Sequence, residues 1–220
     1  MKQNLSKKFY TSKDKIATND ATYTEYIKNP QKLNEILKNA DKSNTTSLCL
    51  VNSVLNKKTY KIITTYKSLN CLILHGTNVT DEDLKVVSIL KNLKHLSLNK
   101  TSITDKGLKY IQMLTTLKEL LLNQTEVTDK GLKYLTILKD LVHLSLSHTD
   151  TTDKGLKYIT TLKNLEELHL SFTDVTDKGI RHIEMLKNLK ELYLDTHTTA
   201  ITSDRVKALK RIMPNLYTNR

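Results

Sequence analysis

Cysteine and long apolar runs are scarce in this sequence, and each scarcity excludes a class of protein. Only two cysteines occur among 220 residues, too few for a small secreted fold that is built on disulfides. No run of about 18 apolar residues is present, so the sequence predicts no membrane-spanning helix. The lysine-rich segment 1–15 also lacks the apolar block of a secretory signal. We therefore expect a cytoplasmic protein with reduced cysteines.

Glycine is also rare, and its placement argues against catalysis. Four of the five glycines recur at one spacing, so none is left for a phosphate-binding loop. These are Gly107, Gly131, Gly155 and Gly179. Cys49 and Cys71 lie near His75 in the repeat pattern, but no oxyanion-hole turn or acid–base pair accompanies them. We expect a protein that is not an enzyme and needs no cofactor.

A 24-residue repeat organises most of the chain. The pattern L-x-x-L-x-L-x-x-T-x-[VI]-T-D-K-G-[LI] begins at Leu69, Leu93, Leu117, Leu141, Leu165 and Leu189. In its first half two leucines, such as Leu96 and Leu98, alternate with mostly polar residues, which is typical of a strand with one buried face. In its second half Leu108 and Ile111 recur at helical spacing. Strand and helix therefore alternate in every repeat.

The residues between the two halves have predictable roles. Thr104 and Asp105, with their equivalents, supply N-cap oxygens for each helix. Gly107 follows just inside the helix, where glycine costs roughly 0.5–1 kcal/mol relative to alanine. We infer that successive repeats approach too closely there for a Cβ atom. Thr101 and its equivalents can bond to backbone groups in the bend after each strand.

The pattern resembles the leucine-rich-repeat superfamily, nearest its cysteine-containing subclass, although the cysteine of that subclass is missing. The subclass is common in F-box substrate adaptors and also occurs in bacterial proteins delivered into host cells. The resemblance implies an α/β fold: a right-handed horseshoe-shaped solenoid with a concave parallel sheet and convex helices. It also implies a protein-binding scaffold, and by the same likeness a bacterial effector that is secreted into the host cytosol.

The chain divides into four predicted parts. They are a mobile N-terminal segment (1–20), a capping helix region (21–44), a solenoid of one degenerate and six 24-residue repeats (45–212), and a C-terminal cap or tail (213–220). Two extra residues interrupt the sixth repeat near 197–200. Leu216 and Tyr217 are expected to close the end of the core.

Residues 29–60 allow a second interpretation. Pro30, Ile36, Leu50 and Leu55 resemble, at nearly the right spacing, the skeleton of an F-box, the helical module that docks on the Skp1 adaptor of ubiquitin ligases. Three signature positions are replaced, and the fit requires a deletion. Because the same leucines fit the 24-residue register, we favour a plain cap and keep the F-box-like, Skp1-binding adaptor as the alternative.

The residues that flank the buried leucines of each strand point outward, and we call the surface they form the strand face. By strand they are Ser47, Cys49, Val51; Cys71, Ile73, His75; His95, Ser97, Asn99; Glu119, Leu121, Asn123; His143, Ser145, Ser147; Glu167, His169, Ser171; and Glu191, Tyr193, Asp195. None is lysine or arginine, although Lys and Arg number 35 and the net charge is +12. The basic residues are therefore kept off this face.

We predict that another protein binds to the strand face. The predicted contact residues are His95, Glu119, Leu121, Asn123, His143, Glu167, His169, Phe172, Glu191, Tyr193 and Asp195. Large side chains such as Leu121, Phe172 and Tyr193 would be anchors within a polar surround. The acidic C-terminal strands suggest a basic patch on the partner.

Two other kinds of ligand are less favoured. Lysine columns on the helices, such as Lys109 and Lys133, would suit nucleic acid or anionic lipid, but no aromatics placed to stack bases accompany them. We interpret them as solvated faces and expect a monomer that does not bind nucleic acid. His95 and His143 are two strands, about 10 Å, apart, too far for one zinc ion. The most favourable metal set is His143, Glu167 and His169, but we favour a ladder of charges without metal.

Overall fold

The computed structural model describes residues 15–17, 23–25, 27–194 and 201–219, in which strands and helices alternate. The strands are β1 (Lys15–Ala17), β2 (Tyr23–Glu25), β3 (Ser47–Cys49), β4 (Cys71–Ile73), β5 (His95–Ser97), β6 (Glu119–Leu121), β7 (His143–Ser145), β8 (Glu167–His169), β9 (Glu191–Tyr193) and β10 (Tyr217–Thr218). The helices are α1 (Pro30–Asn39), α2 (Lys57–Ile63), α3 (Asp81–Val87), α4 (Asp105–Ile111), α5 (Asp129–Leu132), α6 (Asp153–Ile159), α7 (Asp177–Ile183) and α8 (Ser203–Ile212), and α5 continues as a 3-10 helix over Lys133–Ile137. None of these helices is both long and apolar enough to cross a membrane.

Strands β3 to β10 form one open sheet in chain order, and every neighbouring pair in it is parallel. The register places the first leucine of each strand beside its equivalent in the next, as with Leu96, Leu120 and Leu144. These leucines are at most 1% exposed. The predicted α/β solenoid of stacked 24-residue units is therefore confirmed. β1 and β2 form a separate antiparallel pair.

One apolar core runs the length of the solenoid, from Ile27 to Leu216. Each repeat contributes its strand leucines and the apolar stripe of its helix, so no repeat can bury its leucines without its neighbours. The bend after each strand is closed as predicted, because a threonine hydroxyl donates to the backbone oxygen three residues earlier. These donors are Thr77, Thr101, Thr125, Thr149 and Thr173, at 2.6–2.7 Å.

The glycine column also has the predicted cause. A Cβ added to Gly179 would lie 2.2 Å from Oδ1 of Asp153 in the preceding repeat, and the equivalent separations at the other three glycines are 2.4–2.5 Å. Real Cβ atoms essentially never approach another atom so closely. Alanine there would have to displace the aspartate of the neighbouring repeat.

That aspartate joins the repeats, a role that the sequence patterns did not indicate. Oδ1 of Asp153 accepts the backbone N–H of Thr176 and Oδ2 accepts its hydroxyl, both at 2.7 Å. The same pair of bonds recurs from Asp81, Asp105, Asp129 and Asp177 to the N-cap threonine of the next helix. We call this series the aspartate ladder.

At the N-terminal end, α1 buries Leu33 and Leu37, and the hydroxyl of Tyr66 donates to the backbone oxygen of Leu37. Leu50 and Leu55 belong to the common core. Residues 47–63 thus form a strand and a helix of the solenoid, the arrangement expected of a degenerate repeat.

At the C-terminal end, Leu216 is buried as predicted, but Tyr217 is 54% exposed. The expectation that Tyr217 closes the core was wrong: it lies in β10, beside Glu191, where alternation turns its side chain away from the interior. The predicted insertion near 197–200 lies outside the described residues. Of the predicted mobile segment 1–20, the structure describes only Lys15–Ala17.

Candidate protein-binding surface

The centre of the strand face is a row of alternating histidines and glutamates, one from each of four neighbouring strands. The cross-strand register places His95, Glu119, His143 and Glu167 side by side. Glu119 Oε2 lies 2.9 Å from Nδ1 of His95, and its Oε1 lies 3.5 Å from Nδ1 of His143. Glu167 Oε1 lies 3.6 Å from Nε2 of His143 and 2.7 Å from Nε2 of His169. The sequence predicted this row, and the structure brings its members into contact.

The two carboxylates of the row are held in their charged form. Burial raises the pKa of Glu119, but hydrogen bonds from His143 and His95 outweigh burial and lower it to about 2. Burial likewise opposes ionisation of Glu167, yet the hydrogen bond from His169 and the charge of His143 lower its pKa. The centre of the face therefore carries two fixed negative charges at neutral pH.

Aromatic rings continue from this row toward the C-terminal end of the sheet. Ring centroids are 5.2 Å apart between His143 and His169, 4.2 Å between His169 and Tyr193, and 5.8 Å between Tyr193 and Tyr217. The Tyr193 hydroxyl donates to Oε2 of Glu191 at 2.6 Å, and burial followed by that bond raises the pKa of Tyr193. The sequence did not place Tyr217 on this surface, because the repeat pattern ends before β10.

The rim of the strand face has an unusual backbone. Five residues at one repeat position have φ between 55° and 57°, the left-handed region that favours glycine: Asn52, Lys100, Gln124, His148 and Phe172. A residue with a Cβ pays roughly 1–2 kcal/mol there. The last two stack, with ring centroids 4.1 Å apart, and Phe172 is 44% exposed. Gly76, at the same repeat position, also has a positive φ of 65°, and it is the residue of this series that indicates the conformation in the sequence.

Four predicted contact residues are placed differently from the others, and one of them, His143, is only 9% exposed. Leu121 is only 7% exposed, so it offers little area as an anchor. Asn123 is half-buried, and its Oδ1 already accepts the backbone N–H of Ser147 at 2.9 Å, so its oxygen stabilises the sheet. Asp195 lies outside the described residues. The face that remains available runs from His95 to Tyr217.

Cys49 and Cys71 are buried thiols on neighbouring strands and are diagonal in the register. Burial, followed by the charge of Glu119, raises the pKa of Cys71 to about 12. We expect Cys71 to react with iodoacetamide at about pH 8 at least ~10-fold more slowly in the native protein than in denaturant, because the thiolate is the reactive form. Mass spectrometry of labelled peptides would measure both rates. Equal rates would contradict the burial.

Three segments of the chain match a family model described as leucine-rich repeat: residues 90–111, 114–135 and 161–183. Solved structures with the same fold include an internalin (inlF) from Listeria monocytogenes, at 20% identity and a TM-score of 0.60, covering 85% of this chain and 59% of that one. A leucine-rich-repeat protein from Leptospira interrogans is 25% identical with a TM-score of 0.58, covering 85% and 51%. Internalin C2 from Listeria monocytogenes is 18% identical with a TM-score of 0.56, covering 84% and 83%. No curated protein sequence matches significantly.

The chain therefore has the fold of a leucine-rich-repeat solenoid, and three of its segments match the leucine-rich-repeat model. It spans 59% and 51% of the first two solved structures. What it shares with them is the fold. That fold is commonly a protein-interaction scaffold.

Proposed function

We propose that the protein is a non-catalytic scaffold that binds the basic patch of a partner protein on its strand face, between β6 and β10. One observation carries the proposal: two half-buried carboxylates, Glu119 and Glu167, are held charged beside a row of aromatic rings. No lysine or arginine belongs to the part of the strand face that the structure describes. A positive surface would therefore meet no lysine or arginine charge there, and the two carboxylates would attract it.

The aromatic row supports arginine as the main contact of the partner. Tyr193 and Tyr217 present ring faces or edges next to Glu191, so a guanidinium group could stack on a ring and pair with a carboxylate. Phe172 and His148 add an exposed stacked pair at the rim. Tyrosine and arginine are among the residue types that most often dominate binding energy in an interface.

The F-box-like adaptor is the second candidate, and it has less support. An F-box is helical, whereas Ser47–Cys49 is a strand of the main sheet and Leu55 is a core residue. Capture of Skp1 by the full chain would reverse this preference. Action as a secreted effector in a host cell rests on the resemblance to such proteins and on the bacterial origin of the similar solved structures.

The proposed function is tested with three variants of the full chain in affinity capture from cell lysate. Tyr193→Ala removes a ring at the centre of the face. Phe172→Gly removes the rim ring and also relieves the left-handed backbone, a gain of roughly 1–2 kcal/mol that exceeds the entropy glycine adds to the unfolded chain. Met113→Ala, at an exposed position on the helical side (53%), is the control.

We expect both strand-face variants to bind the captured protein at least ~10-fold more weakly, while Met113→Ala binds as wild type does. Phe172→Gly should be about as stable as wild type in urea unfolding, because the relieved backbone offsets the lost stack on His148, so its loss of binding cannot be assigned to misfolding. Raising the salt concentration should weaken the wild-type complex. Capture that resists both strand-face changes but is lost in Met113→Ala would place the interface on the helices.

A further inference from the structure

We propose that the strand face also holds a site for a divalent transition metal ion such as Zn²⁺, formed by His143, Glu167 and His169. The site shares Glu167 with the proposed partner surface, so an ion and a basic partner would compete for that carboxylate, and the test of the site needs no partner. Two imidazoles and one carboxylate are a ligand set that zinc commonly takes, with a fourth position left for water or another group.

The register of two adjacent strands brings the three ligands together. His143 of β7 pairs directly with Glu167 of β8, and His169 follows two residues later on the same face. One donor atom from each lies within 4.8 Å of the other two. Zinc bonds of about 2.0–2.1 Å in a tetrahedron put ligand atoms roughly 3.3 Å apart. Small side-chain rotations therefore suffice, and the backbone need not move.

His143 supplies a second, independent observation. The residue is only 9% exposed, and its Nε2 has no hydrogen-bond partner among the described residues. A buried ring nitrogen without a partner is costly and calls for an explanation. This nitrogen points toward Glu167, whose Oε1 lies 3.6 Å away. A bound cation would satisfy both atoms.

The opposite nitrogen of His143 is arranged as it is in known metal sites. Nδ1 faces Oε1 of Glu119 at 3.5 Å, and the other oxygen of Glu119 is held by His95 at 2.9 Å. A carboxylate that holds Nδ1–H fixes the tautomer and leaves the Nε2 lone pair free for the metal. Glu119 would thus be a positioning residue for His143.

The separation of about 10 Å that excluded a shared zinc ion is that of His95 and His143, and His95 is not a ligand of the proposed site. His95 and His143 are separated by the whole of β6 and cannot share an ion. His143 and His169 lie on adjacent strands, with ring centroids 5.2 Å apart. His169 and Glu167 keep 28% and 14% of their side chains exposed, so an ion and a fourth ligand can reach the site from solvent.

The test is isothermal titration of the chelator-treated full chain with zinc chloride at neutral pH. We expect saturable binding of one ion, weakened at least ~10-fold by Glu167→Gln and by His169→Ala, since each removes one ligand. His148→Ala is the matched control, because His148 is an exposed histidine of the same face that stacks on Phe172 outside the cluster. It should leave the affinity unchanged.

Cobalt supplies a readout that does not depend on heat. The visible spectrum of Co²⁺ bound to the wild type should be that of a four- or five-coordinate ion, and should be absent from both ligand variants. Circular dichroism checks that each variant is folded. The proposal is overturned by the absence of saturable binding, by equal affinity in wild type and ligand variants, or by loss of binding in His148→Ala.

Discussion

Asp153→Ala is expected to lower the free energy of unfolding by about 2–3 kcal/mol. The substitution removes both acceptors of the aspartate ladder at one step, so the backbone N–H and the hydroxyl of Thr176 lose their bonds together. Bonds to a carboxylate are the stronger kind, and a partly buried N–H left without a partner adds a desolvation cost. Urea unfolding followed by circular dichroism would measure the change.

Two further variants separate the ladder from general effects of charge. Asp153→Asn keeps one oxygen for the Thr176 N–H and places an amide beside a hydroxyl that can accept, so a smaller loss is expected. Asp140→Ala removes an equally negative but exposed side chain and should change stability by less than about 0.5 kcal/mol. A loss in Asp140→Ala as large as in Asp153→Ala would mean that net charge, and not the ladder, is responsible.

The sequence predicted the N-cap of each helix but not the bonds of the aspartate ladder between repeats. Thr-Asp at each helix start was interpreted correctly as an N-cap followed by an acid: Thr176 accepts the backbone N–H of Lys178 at 3.2 Å. The same pattern did not reveal that Asp153 also bonds to the next repeat, because spacing along one chain does not give the distance between repeats. The glycine column held that information, since a position that excludes a Cβ indicates that something lies against it.

The fold itself was predictable because the repeat specifies every level consistently. Alternating leucines predict the strands, helical spacing predicts the stripe, and a repeat that cannot bury its own leucines must stack on the next. The ends were less predictable because the pattern weakens there. Tyr217 was assigned to the core by its neighbour Leu216, although alternation along β10 places it on the opposite side.

The sequence predicted which residues lie on the candidate surface. It did not predict how deeply each one is buried or which backbone conformation it has. Phase along the strand placed His95, Glu119, His143 and Glu167 in one row, and the register confirms it. Alternation along the strand could not show that the side chain of Leu121 is almost fully buried by its neighbours. Phase by itself did not show that Phe172 has a left-handed backbone, and the sign of it was Gly76, a glycine at the same repeat position with a φ of 65°.

Gly179→Ala is expected to destabilise the protein by about 1–3 kcal/mol, although alanine is the better helix former. Its Cβ would lie 2.2 Å from Oδ1 and 3.0 Å from Cγ of Asp153. To make room, the carboxylate must leave Thr176, so the cost includes both ladder bonds. Thermal and urea unfolding of the single variant would measure it.

The sign of this effect should depend on the aspartate. In an Asp153→Ala background the two shortest contacts of the new Cβ are gone, and the next nearest atom is Cγ1 of Val175, at 3.1 Å. Gly179→Ala should then cost nothing or add up to about 1 kcal/mol, the ordinary advantage of alanine over glycine in a helix. The double-mutant cycle would therefore give a coupling energy of at least about 1 kcal/mol between two residues on successive repeats. Additive single effects would show that the glycine column is not maintained by the ladder, and that the two features share a spacing without sharing a cause.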